Sequence, residues 1–380
     1  MKYGAVTILG SMDLKPKETI THSIFGATRT FADLDRWEIF FLVFGGVSLV
    51  ACTGLTTERL VYLSPDHCPH WSVSNHTSNP VIEEKRCGAE FTFALLVLVN
   101  CGFLLFHIIH GTLTERPYEL FAFVVGIAIV SCYCTLDFIV GVEEGLSGFS
   151  FRIKLARLII LLTLGVTDVL LACHIALRFL KAGRFASNVA KSYDEILQRK
   201  VKVHFAAQSL LTLDLEFQVT MVILILRNGF ELGVGALEMG ILFGGSIFSV
   251  LWMVCAIICM RLEKRLLSWI VIGTSVLEPA YILYKIIDSA KSVVSIDNTD
   301  YNSLVLHYCV FLGGTVGLLI RLLLLPSFIY TYSTFGENLN KKIYDIETSQ
   351  TVNNRSRKPL SSEEPGWDTH EEPGSLSMNR

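Results

Sequence analysis

Eight stretches of this chain stay apolar for about 20 residues, the length a helix needs to cross the roughly 30 Å hydrocarbon layer of a bilayer. They run approximately over 38–55, 91–110, 119–140, 155–178, 205–226, 237–260, 267–287 and 304–326. Lipid offers no partner to an unpaired backbone group, so each stretch has to be a helix. The expected fold is therefore all-α: a polytopic integral membrane protein built as a bundle of about eight transmembrane helices. Composition agrees. Apolar residues make up 51% of the 380 and charged ones only 18%, with a mean hydropathy of +0.49, where a soluble domain carries about 25% charged residues. No segment remains for a soluble catalytic domain of about 100 residues. The weakest span is the seventh, which contains Glu278 and Pro279.

Basic residues orient the bundle. With the N-terminus in the cytosol, the inner segments hold 21 Lys and Arg and the outer segments seven, the asymmetry expected of eight spans with both termini cytosolic. The chain then divides into a cytosolic segment 1–37, a transmembrane domain 38–332 with an outer loop 56–90 and a cytosolic loop 179–204, and a tail 333–380. The first span is expected to direct insertion. The tail is rich in Ser, Asn, Glu and Pro and repeats "EEPG", a composition that reads as disordered and open to regulatory proteins. The host membrane is either the plasma membrane or an endomembrane.

The sequon "NHT" places a glycosylation site at Asn75 in the first outer loop. Cys68 and Cys87 flank it, and as the only cysteines outside the spans they are expected to form a disulfide in that oxidising compartment. The remaining eight cysteines fall inside helices, where a thiol behaves as a small hydrophobe. His67 and His70 beside Cys68 do not complete a structural zinc set. A second group, His107, His110, His174 and His204, comes out at similar depth near the cytosolic face. Such a group can ligate zinc, hold haem or relay protons. The complete pattern of an intramembrane hydrolase does not accompany it, and the bland reading has these side chains bonding backbone or lipid phosphate.

The residues "TLDLEFQ" at 212–218 place Asp214 and Glu216 near the centre of the fifth span. A charge there costs about 2.5–3.5 kcal/mol. Asp168, Glu278 and Asn100 lie at comparable depth in other spans, forming one belt. Asp214 and Gln218 are four apart and share a helix face, whereas Asp214 and Glu216 point to nearly opposite sides. The fifth helix is thus expected in the interior with partners on both sides. Pro279 breaks the seventh helix beside Glu278, the arrangement transporters use for midplane cation sites. The bland alternative is that these groups are neutral pins between helices.

These residues, Asp168, Asp214, Glu216, Glu278, Asn100 and Gln218, are the expected ion- or substrate-binding set of a transporter or channel-like protein for a cation or a proton-coupled small solute. No nucleotide loop, HExxH, GxSxG or paired CxxC occurs, so catalysis is not expected and no cofactor or nucleic-acid partner is implied. A His-dependent intramembrane enzyme and a receptor are the other classes. Pro326 and Tyr330, at the end of the last span, are similar to the proline and tyrosine of the NPxxY element of G-protein-coupled receptors. Leu325 stands at the asparagine position, and no Asp-Arg-Tyr follows any span.

Overall fold

A computed structural model describes residues 21–23, 26–62, 80–143, 148–182, 195–231, 236–295 and 301–336. Apart from a three-residue antiparallel pairing of β1 (Thr21–Ser23) with β2 (Gly26–Thr28), a 3₁₀ turn at Phe31–Asp33 and short connections, the described residues are helical. The helices are α1 (Arg36–Tyr62), α2 (Pro80–Leu113), α3 (Pro117–Glu143), α4 (Gly148–Ala182), α5 (Glu195–Glu231), α6 (Ala236–Leu262), α7 (Arg265–Thr274), α8 (Leu277–Ser295) and α9 (Tyr301–Ser333). With α7 and α8 taken together, eight helical segments are long and apolar enough to cross a membrane. The two short strands were not expected from the sequence. Cys68, Asn75 and the tail beyond 336 lie outside the described residues, and Cys87 is described only as part of the α2 backbone.

Helix α5 is the central element. Its most apolar 18-residue stretch is 78% buried inside the protein, against 22–50% for the other spans. It packs against α2, α3, α6 and α9, so both carboxylates on it can avoid lipid. Close approach of its neighbours uses glycine. A Cβ on Gly126 of α3 would stand 2.8 Å from Leu104 and 3.2 Å from Oε1 of Glu216, and one on Gly313 of α9 would stand 2.7 Å from the Tyr133 hydroxyl.

One end of the bundle is tied by polar contacts. Glu38, three residues after Asp35, reaches back to accept the Asp35 N–H at 3.1 Å, half of a capping box that starts α1. Arg178 donates to Asp35 at 2.6 Å. That guanidinium, with the Arg36 N–H, holds the Asp35 carboxyl below its ordinary range. A depressed value means the pair contributes above the ordinary pKa of about 3.9 and is lost as pH falls through the lowered one. Both side chains are 44% exposed, so salt screens the contribution. The α2–α3 turn closes with the Arg116 N–H donating to the Gly111 carbonyl at 3.0 Å and Glu115 at φ 52°, a Schellman closure. The left-handed conformation costs a residue with a Cβ roughly 1–2 kcal/mol. Glu115 is held in it by an ion pair to Arg29 at 2.9 Å.

The seventh span is interrupted. The helix ends at Thr274 and resumes at Leu277. Pro279 lacks the N–H that would bond the Ser275 carbonyl, so the discontinuity, at Ser275 and Val276, falls four and three residues before the proline rather than at it. Glu278 consequently lies in the first turn of a new helix.

Candidate functional site

Four side chains from three helices meet where α7 gives way to α8. On α5, Asp214 and Gln218 share a face, and Gln218 Nε2 donates to Asp214 Oδ2 at 2.6 Å. The same amide nitrogen donates to Glu278 Oε2 at 2.7 Å, which uses both of its hydrogens. Arg321 of α9 completes the ring, pairing with Asp214 at 3.0 Å and with Glu278. Its guanidinium lies over the Trp252 ring, 4.1 Å from the centroid, and Trp252 is fixed by donating its ring N–H to the Val271 carbonyl at 3.1 Å. Asp214 and Arg321 are each 2% exposed and Gln218 6%. With both carboxylates ionised the centre carries two negative charges and one positive.

A cavity of about 320 Å³ adjoins this centre. Its inner wall is Gln218, Met221 and Val222 of α5; Gly244, Gly245, Phe248 and Ser249 of α6 and Leu277, Glu278, Tyr281 and Ile282 of α8 form the rest. Oε1 of Gln218 and Oε1 of Glu278 accept no hydrogen bond among the described residues.

Glu216 points the other way. Nε2 of His107 stands 3.2 Å from Glu216 Oε2, and Nδ1 of the same ring stands 2.8 Å from Glu119 Oε2. Thr212 donates to Glu119 at 3.4 Å, and His110 lies 3.4 Å from its other oxygen. His107, Glu119 and Glu216 are each 0% exposed. A neutral imidazole has one N–H. Two carboxylate contacts therefore need either an imidazolium or one protonated carboxyl, and in both forms the three groups hold two protons and one net negative charge.

The expected belt is thus divided among separate places. Asp168 is buried between α1 and α4, beside Gly45. Ser48 faces it, but neither carboxyl oxygen closes a hydrogen bond among the described residues. Asn100 clips α2 to α5: its amide donates to the Leu96 carbonyl at 2.8 Å and to Thr220 Oγ1 at 3.1 Å. Interhelical bonds of this kind in membranes average about 0.6 kcal/mol. Neither residue touches the Asp214 centre.

The histidines divide too. His107 and His110 meet Glu119 rather than an interface, whereas His174 is exposed and lies edge-on to Trp37 at 6.0 Å. His204 is buried and lies 3.4 Å from Gln208, whose amide oxygen accepts from Arg116 at 2.8 Å. Among the described residues no three His, Cys, Asp or Glu side chains form a group that could hold a metal ion. Tyr330 stands four residues after Pro326, one more than the receptor element has, so that spacing is absent.

Three partners were not foreseen from the sequence. Glu119 stands at the first position of the expected third span, and its signal in the sequence is a glutamate two residues after Pro117 and close in the chain to the i, i+3 pair His107 and His110. Arg321 lies within the eighth span, and nothing local in its sequence shows that two acids share it. Asp137, inside the third span, was overlooked; it receives Lys154 at 2.9 Å and Arg157 at 2.6 Å, all three buried. Those bases, three apart at the start of the next span, were its signal.

A helical bundle with eight segments long and apolar enough to cross a membrane is compatible with a multi-pass membrane protein. The chain belongs to the family described as a domain of unknown function, DUF7789, whose pattern matches residues 25–177 and 190–330. No curated protein and no solved structure matches the chain.

Proposed function

We propose that this protein is an integral membrane transporter for a cationic or proton-coupled small solute, and that Asp214, Gln218, Glu278 and Arg321 form the site the solute occupies. The observation that carries this reading is the ring of two carboxylates on one guanidinium, placed at the break in the seventh span and beside a cavity. A pin between helices requires no cavity, and a broken helix costs backbone hydrogen bonds that a continuous one keeps. Purified protein in sealed vesicles should take up protons, sodium, potassium or a primary amine faster than protein-free vesicles. Uptake indistinguishable from empty vesicles across that panel contradicts the proposal.

The proposed orientation has both termini in the cytosol, supported by the 21 to seven basic asymmetry and by the outer-loop sequon. Asn75 should carry glycan, Cys68 and Cys87 should react with an impermeant thiol reagent only after reduction, and a tag after Arg380 should be reached only in permeabilised cells. A tag reached on intact cells contradicts this orientation.

A further inference from the structure

We propose that the solute is an amphiphilic primary amine dissolved in the bilayer, which reaches the Asp214–Glu278 centre sideways between α6 and α8. This rests on the transport-site reading above and adds the substrate's chemistry and its route. The route follows from which lining residues face outward. Gly244, Gly245 and Phe248 of α6 are exposed, and Leu277, at the break in the seventh span, is 60% exposed. Leu277 lies midway along its span and the α6 residues lie within the first third of theirs, inside the apolar length rather than beyond it, so the cavity opens through the side, where lipid chains would lie.

The head group follows from the inner end. Gln218 is only 6% exposed, it lines the cavity, and its Oε1 lacks a donor among the described residues, as does Oε1 of Glu278. Nε and Nη1 of Arg321 also lack acceptors among the described residues, but Arg321 does not line the cavity; the two acceptor oxygens belong to residues that do, and they call for a group that brings N–H or O–H. With both carboxylates ionised, the ring's one net negative charge calls for a single positive one. An ammonium meets both demands with its three donors.

The walls decide between a bare ion and an organic one. A hard cation such as Ca²⁺ or Mg²⁺ takes about six or more oxygen ligands, whereas Met221, Phe248, Leu277 and Ile282 offer carbon and sulfur. An apolar chain fits these, and about 320 Å³ is at the lower end of the roughly 300–1,000 Å³ typical of ligand pockets.

The full-length protein in lipid nanodiscs should be photolabelled by a long-chain primary amine carrying a diazirine on its chain. Label should fall on α6 near Gly245 or on α8 near Tyr281. The matching long-chain alcohol should label these peptides about 10- to 100-fold less, the factor that loss of a charge-assisted hydrogen bond represents. Glu278→Gln should reduce amine labelling by a similar factor. Gly245→Leu is the steric control: no atom lies within 4 Å of a Cβ built there, so the variant should fold with unchanged thermal stability while its side chain occupies the opening and labelling falls at least about 10-fold.

Equal labelling by amine and alcohol, unchanged labelling in both variants, or cross-linking of α6 to a second copy in place of the amine would each overturn the proposal. Vesicle uptake of a small cation without amine labelling overturns it while leaving the transport reading standing. Amine labelling at these peptides without any vesicle uptake does the reverse.

Discussion

Arg321→Leu is expected to be among the most destabilising single substitutions in this chain, costing about 3–5 kcal/mol. The guanidinium is buried between Asp214 and Glu278, and Leu would leave two carboxylates facing each other through the Gln218 amide with no counter-charge. Removal of one partner from a buried charged group costs more than the group's net contribution, because the remaining charges stay desolvated. The loss should therefore be partly reversed by Asp214→Asn or Glu278→Gln in the Arg321→Leu background, a coupling that independent sites would not show. Unfolding in mixed micelles measures both. A loss below about 1 kcal/mol, or strict additivity of the double variants, would mean the ring does not exist as described.

His107→Leu should have a comparable effect for a different reason. The imidazole separates Glu119 from Glu216, bonding one through each nitrogen, and all three groups are shut away from solvent. Leu removes both bonds at once, and the two acids must then take up protons or remain buried and unpaired, at about 3–5 kcal/mol. Glu216→Gln should recover part of that loss in the double variant by removing one of the two acids. Wild-type stability in His107→Leu would show that these acids find other partners.

Periodicity made the centre of this fold legible. Two carboxylates two positions apart on one helix had to diverge, and a helix with acids on opposite sides had to be interior. Helix α5 is interior, with Asp214 and Glu216 on opposite sides. Gln218, four residues from Asp214, bonds it as the shared face implied. Partner identity was not legible, because it depends on how far each helix slides along its neighbours, which a single sequence does not encode locally. Depth counting put Asp168 and Asn100 level with Asp214, but level residues can face different helices, and these two do. Glu119 is hidden for a related reason: its backbone sits in the first turn of α3, yet its side chain turns inward to meet His107. The break in the seventh span was signalled by Pro279, and the interruption at Ser275–Val276 reflects the missing bond to the turn preceding the proline.

The most direct test of the transport site compares three amides in one assay. Asp214→Asn, Glu278→Gln and Glu216→Gln each keep side-chain shape while removing a charge. Each would be reconstituted at equal folded amount, with cation and proton flux followed over a pH series. A site that binds a cation needs ionised carboxylates, so Asp214→Asn and Glu278→Gln should abolish flux while thermal stability holds. Glu216→Gln should show the reverse, lowering stability more than flux, because its carboxylate serves His107 and not the cavity. Flux and pH dependence left unchanged by both Asp214→Asn and Glu278→Gln would make these carboxylates pins between helices and contradict the transport site.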